Sequence, residues 1–191
     1  MSQQPSRRSF LKATALTTTA MTFKPFYILN AQPKADGEII GHGSHRYRVN
    51  HAWGNLDSSK FPINNCHEMV QDSKGRLIMV GDEVKNNILV YDRSGKLLDS
   101  WGHEYPGGHG LTLWNANGEE FLFICDPNTG KVTKTDMQGK VLLTIEHPSK
   151  VGAYKPEMNF KPTETAIGPD GTIYVADGYG SQWILRYTMQ G

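Results

Sequence analysis

An all-β protein assembled from repeated short-stranded units is the fold this sequence predicts, on three observations. A polar turn ending in glycine recurs along the chain, each time followed by a β-branched and aromatic run that closes on aspartate. The recurrence is regular, with Gly75, Gly118 and Gly171 standing 43 and 53 residues apart. Beyond the N-terminal 31 residues, no stretch sustains the 3.6-residue apolar period of a helix. Three or four short strands per unit at that spacing are the pattern of a β-propeller, each unit forming one blade.

The first 31 residues carry Arg7, Arg8, Lys12 and Lys24 and no acidic residue. The run Ser6-Arg7-Arg8-Ser9-Phe10-Leu11-Lys12, followed by a mildly apolar stretch from Ala13 to Met21, resembles a bacterial twin-arginine (Tat) export signal with cleavage near Ala31. That reading implies the Tat export machinery as a partner and a periplasmic or otherwise exported location. An ordinary basic N-terminal arm is the alternative. Cargo of this route is exported folded, often with its cofactor already inserted, which hints at a metal. Residues 32–59 follow as a lead-in.

Three units then share one grammar, expected as blades over 60–103, 104–147 and 158–191. In the first, Gly75 leads through Arg-Leu-Ile-Met-Val-Gly to Asp82, and Ile88-Leu-Val-Tyr-Asp92 runs into Gly95. In the second, Gly118 leads through Phe-Leu-Phe-Ile-Cys to Asp126, and Val132 to Asp136 runs into Gly139. In the third, Gly171 leads through Thr-Ile-Tyr-Val-Ala to Asp177, and Trp183 to Tyr187 runs into Gly191. The longer second interval lies in the loop from Glu146 to Asn159. Ser73-Lys74-Gly75, Ala116-Asn117-Gly118 and Pro169-Asp170-Gly171 each place glycine where a hairpin turn takes positive φ.

Composition excludes several classes. With 20 Lys+Arg against 19 Asp+Glu the formal charge is +1, and loss of the N-terminal cations turns the remainder slightly acidic, so no nucleic-acid partner is expected. No apolar run is long enough for a membrane-spanning helix, and two cysteines cannot frame a disulfide scaffold. Three units fall short of the four or more blades of a closed propeller, and the chain stops at Gly191 in register with Gly95 and Gly139. The sequence therefore reads as the N-terminal portion of a longer propeller or a truncated product.

The units resemble NHL repeats. The segments Tyr47-Arg48-Val49-Asn50-His51-Ala52-Trp53, Ile88 to Asp92, Gly108-His109-Gly110-Leu111, Pro162-Thr163-Glu164 and Ala176-Asp177-Gly178-Tyr179 resemble, in order, the peptidyl-α-hydroxyglycine α-amidating lyase family. That family is a six-bladed NHL propeller, and the resemblance covers about the first half of its domain. It implies His109 as a zinc ligand, Leu111 as a backbone-carbonyl donor to a structural calcium, Tyr179 as general base and Arg48 as its electrostatic partner. Zinc would polarise the α-hydroxyl of a peptide or small-molecule substrate, tyrosinate would take its proton, and the carbon–nitrogen bond would break to an amide and glyoxylate. Two departures stand against this. The family's other two zinc histidines lie on later blades, and Lys161 and Gly180 replace its cysteines, so the chain by itself is expected to be inactive.

Repeat alignment adds His67, which fills the slot of His109, with Thr163 in the third unit. If one histidine faces the central channel so does the other; hydrogen-bonded channel-lining side chains are the bland reading, and two in one ring raise the metal option above that of a lone histidine. Cys66 and His67, as strand neighbours, face opposite ways and do not chelate together. Cys125 reads as a buried structural thiol, and Asp82, Asp126 and Asp177 as acceptors for turn amides. His42, His45, His51 and His103 fall in loop-like segments, while Trp53 and Trp101 pack between blades. Three functions remain open: a metal-dependent lyase-like enzyme, a non-catalytic periplasmic module binding a protein, peptide or glycan, and a calcium-dependent lactonase-like hydrolase. The last is disfavoured because the central slots offer histidine rather than acids. A fourth possibility is that the chain has no function of its own.

Overall fold

The computed structural model describes residues 37–152 and 154–191; the export signal read over 1–31 lies outside them. The contacts divide the chain into two units, Met1–Val49 and Asn50–Gly191. The described part of the first is a hairpin of β1 (Ile39–His42) and β2 (His45–Arg48), exposed along both strands. His42 and His45 are thus paired strand ends, not loop residues.

The second unit holds three antiparallel sheets in sequence order. Blade 1 is β3 (Cys66–Gln71), β4 (Leu77–Gly81), β5 (Ile88–Tyr91) and β6 (Leu97–Trp101). Blade 2 is β7 (Leu111–Ala116), β8 (Glu119–Asp126), β9 (Lys131–Asp136) and β10 (Val141–Ile145). Blade 3 has three strands, β11 (Glu164–Ile167), β12 (Ile173–Ala176) and β13 (Ile184–Tyr187). Among the described residues there is no helix, and the sheets form an unclosed, incomplete propeller.

Local chemistry sets the hairpins. Asp72 and Asp136 each turn a carboxylate oxygen onto the backbone N–H groups two and four residues on, at Lys74 and Arg76 and at Gln138 and Lys140. At the turn after β7, Asn117 and Gly118 both take positive φ, 55° and 97°, the requirement of a type I′ hairpin that matches strand twist.

Packing shows why the sheets stack. On β8, Leu122 and Ile124 pack into a core with Ile78, Val80, Ile88 and Val90 of blade 1. The alternate residues Phe123 and Cys125 pack instead with Ile173, Val175 and Leu185 of blade 3. Strand side chains alternate faces, so a middle sheet covered on both sides buries an unbroken apolar run, and β8 is buried from Phe121 to Asp126. Strand β4, covered on one face, alternates between buried and half-buried residues. Each large β8 side chain so buried contributes about 2 kcal/mol. Ile124→Val, which removes one methylene from the blade 1–2 core, is expected to cost about 1 kcal/mol, read as a lower urea midpoint with an unchanged slope.

The inner strands converge: β7 lies against both β3 and β11. Their ends, and the loops that follow β8 and β12, carry the residues singled out in the sequence.

Candidate functional site

His109 enters its site between two glycines. Its N–H bonds to the Cys125 carbonyl, and Cys125 N–H returns a bond to Gly110, extending the β7–β8 ladder past Leu111. A Cβ on Gly108 would stand 2.6 Å from the Gly81 carbonyl of blade 1, and one on Gly110 would run into the Thr163 carbonyl of blade 3. Glycine on both sides lets three inner strands close around the histidine.

The His109 ring is fixed at both nitrogens. Nδ1 stands 3.1 Å from the Thr163 carbonyl oxygen, which can only accept, so Nδ1 carries the proton of the neutral ring. Nε2 then presents a lone pair, and the Tyr179 hydroxyl donates to it at 3.1 Å. The Tyr179 ring meets His109 edge-on, with centroids 5.2 Å apart. On the other side His67 stacks on His109 at 4.5 Å and 24°. Together with Asp82, Gly107, Pro127, Asn128 and Lys161 these three line a cleft of about 360 Å³. Tyr179 is 63% exposed at its mouth.

His67 owes its place to a bulge. The β3–β4 register shifts between Cys66 and Glu68, which face Gly81 and Val80, so His67 is the extra residue. The strict alternation expected for Cys66 and His67 fails at this point, and both line a shallow cleft with Met69 and Met79. Cys66 is exposed and free. Cys125 is free and buried, and burial pushes its thiol well above the ordinary range.

Tyr179 sits in a loop organised by the buried Asp177. One carboxylate oxygen accepts the Lys161 N–H at 2.6 Å; the other accepts the Ser181 N–H at 2.6 Å and a short bond from the Tyr154 hydroxyl. Burial, then the bond to Asp177, pushes the Tyr154 phenol up to about 12. Asp82 and Asp126 likewise bind backbone amides, of Asn65 and of Asn128 and Thr129.

Leu111 is buried in the blade 1–2 core, and its N–H donates to Glu68 Oε2 at 3.0 Å. This exposes a pair missed in the sequence. Glu68 and Glu164 share one slot in their units, and Gly110 stands there in blade 2. Glu164 accepts from Thr112 Oγ1 at 2.8 Å and Thr165 N–H at 2.7 Å. Burial, then its hydrogen bond with Glu68, pushes the Glu164 carboxyl up to about 7. Aligning the residue after each His67, His109 and Thr163 would have found both acids, which were overlooked when the central slots were read as histidine. Because the native state holds a proton there that the unfolded chain releases nearer pH 4.5, this group's contribution is complete at low pH and is lost as pH rises towards 7. In denaturation from pH 5 to 7.5, Glu164→Gln is expected to flatten the fall in midpoint shown by the parent chain.

Arg48 pairs with Ile39 in the exposed β1–β2 hairpin of the first unit. Among the described residues, no three histidine, cysteine, aspartate or glutamate side chains gather as a metal-binding group.

Among curated proteins the chain is similar to peptidyl-α-hydroxyglycine α-amidating lyases and to an NHL repeat-containing protein. A Caenorhabditis elegans probable peptidyl-α-hydroxyglycine α-amidating lyase is 31% identical over 107 residues, covering 54% of this chain and 29% of its own length. The chain is similar to the amidating lyases. Lyase 1 of Drosophila melanogaster is 27% identical over 165 residues, 83% of this chain and 26% of its own. The NHL repeat-containing protein 3 of Mus musculus is 26% identical over 57% of this chain and 33% of its own. The chain thus spans about a third or less of the curated relatives it matches. No family model matches. Among solved structures, a streptogramin B lyase aligns with a TM-score of 0.47 and 14% identity over 74% of this chain and 48% of its own.

Proposed function

We propose that this chain is part of an exported carbon–nitrogen lyase acting on an α-hydroxylated peptide or small amide, of the kind its amidating-lyase relatives are named for. The observation that carries the reading is the His109–Tyr179 pair, with Nε2 3.1 Å from the phenol oxygen and its tautomer set by the Thr163 carbonyl.

The pair can move a proton in one direction. As Tyr179 passes its proton to Nε2, its oxygen takes the proton of the substrate's α-hydroxyl. The electrons of that O–H bond form the carbonyl, the C–N bond breaks, and its electron pair goes to the amide nitrogen, which takes the proton left on Nε2 and returns His109 to its neutral form. A peptide amide and glyoxylate result, with no change of oxidation state that would need a redox cofactor. The resemblance implies Arg48 as the electrostatic partner of Tyr179.

The resemblance also implies zinc and calcium. His109, with Nε2 free of its ring proton, and His67 are nitrogen donors of the type zinc takes, but two fall short of the three protein ligands of a catalytic site. No step here runs through zinc. Near Leu111 the donors are carboxylate oxygens of Glu68 and Glu164, the type calcium takes.

A second reading is a non-catalytic propeller that holds a peptide in the same cleft, against the stacked His67 and His109 rings and the exposed Tyr179. The full chain, supplied with a peptide ending in α-hydroxyglycine, separates the two. Release of glyoxylate that is lost in His109→Ala supports the lyase. Peptide binding without glyoxylate, unchanged in His109→Ala, supports the binding module.

A further inference from the structure

One slot of the repeat, two residues before the histidine slot, is filled by Asn65, Gly107 and Lys161. In blades 1 and 3 its backbone N–H donates to the aspartate that follows the second strand, Asn65 to Asp82 at 3.0 Å and Lys161 to Asp177 at 2.6 Å. The side chains then differ. Asn65 turns its amide back onto Asp82 at 2.8 Å, so both oxygens of that carboxylate are engaged. Gly107 has no side chain, and a Cβ there would stand 2.6 Å from Asp126 Oδ1. Lys161 brings an exposed side chain that ends in an ammonium, while its carbonyl accepts the Tyr179 N–H at 3.4 Å. With both backbone groups committed to the Tyr179 loop, what Lys161 offers a ligand is its charge. Position 180 has no room for a side chain, since a Cβ on Gly180 would run into the Asn159 carbonyl and the Asp177 carboxylate. The departure from a cysteine pair at 161 and 180 thus leaves position 161 able to carry that charge.

Lys161 lines the same cleft as His109 and Tyr179, and it is the one lysine or arginine among the described residues of that lining. The nearby acids have other partners: Asp82 has Asn65, Asp177 has the two N–H groups and Tyr154, and Glu146 of the adjoining cleft has Lys131 at 3.3 Å. We infer that Lys161 binds the carboxylate of an α-hydroxy acid group and holds it while the hydroxyl meets Tyr179. The placing of the hydroxyl rests on the lyase reading. In the substrate of that reaction one carbon bears both the hydroxyl and the carboxylate, so a cleft that takes the hydroxyl at Tyr179 brings the carboxylate to a group beside it. An ammonium is a point charge with three donors on a flexible stem, and it meets a carboxylate without the fixed plane of a guanidinium. The site thus selects acids over neutral amides and esters of the same shape. Glyoxylate keeps the carboxylate after the C–N bond breaks, so the same ammonium holds the product.

Glycolate and its neutral counterpart glycolamide, titrated into the full chain and followed by NMR, read the site without turnover. Glycolate is expected to bind about 10-fold or more tightly than glycolamide, the effect of one charge-assisted hydrogen bond. Lys161→Met is expected to erase that preference and Lys161→Arg to keep it. Circular dichroism should be unchanged in both, because residue 161 makes its native bonds through the backbone. Equal binding of the two probes by the parent, or binding of neither, overturns the inference, as does a Lys161→Met chain that keeps the preference. Glyoxylate release separates this inference from the lyase reading. A Lys161-dependent preference in a chain that releases no glyoxylate leaves the carboxylate site standing and removes the lyase. Release with the same KM in the parent and in Lys161→Met does the reverse.

Discussion

Asp177→Ala is expected to leave the chain largely unfolded at 37 °C. The carboxylate is fully buried and holds three donors, the N–H groups of Lys161 and Ser181 and the hydroxyl of Tyr154. Tyr154 is itself buried, at the centre of the blade 2–3 core with Phe160 and His147 around it. Alanine cannot accept any of the three bonds; the Tyr154 hydroxyl keeps the Asn159 carbonyl as an acceptor at 2.7 Å, while the two backbone N–H groups lose their carboxylate, at about 1–3 kcal/mol for each donor left without a partner. A loss of about 2–5 kcal/mol is a large share of the about 5–15 kcal/mol that holds an ordinary domain together. Urea unfolding should show the loss. Asp177→Asn, which keeps an acceptor oxygen but turns an amide donor towards Ser181 or Lys161, should lie between. If Asp177→Ala were as stable as the parent, the loop that carries Tyr179 would have to be held by something other than this carboxylate.

The fold was legible because its signals are local. Glycine-ended turns and apolar runs of strand length mark the hairpins without reference to the rest of the chain, and the repeat supplies the order of sheets. What the repeat could not supply is the register within a blade, which depends on single residues. Seven residues separate Gly75 from Asp82, eight separate Gly118 from Asp126 and six separate Gly171 from Asp177. One residue more or fewer reverses the face of every following side chain. Aligned on the aspartates, Gly81 and Cys125 look equivalent, yet Cys125 lies in the blade 2–3 core while Gly81 pairs with Cys66 beside the bulge. That bulge is invisible to a rule of alternation, and it is what sets His67 as an unpaired extra residue beside His109. Glu68 and Glu164 were missed for a different reason. They stand one residue after the histidine slots, and a carboxyl pair across an intervening glycine is a three-dimensional feature, formed where Gly110 lets blades 1 and 3 close on blade 2.

Tyr179→Phe carries the largest expected effect on activity. The substitution removes one oxygen from a side chain 63% exposed at the mouth of the cleft, so the fold should be indifferent to it, within about 0.5 kcal/mol. The edge-on ring contact with His109 survives, because phenylalanine presents the same edge. What disappears is the atom that takes the substrate's proton while giving its own to Nε2, a loss of about 10²–10⁴-fold in glyoxylate release for an acid–base group. His109→Gln separates the two members of the relay. Its amide can still occupy the space beside Tyr179 but cannot be protonated near neutral pH, so it should lower the turnover rate while leaving substrate affinity near the parent's. A Tyr179→Phe chain that released glyoxylate at the parent's rate would remove the phenol from the chemistry, and leave the cleft as a place where peptides are held.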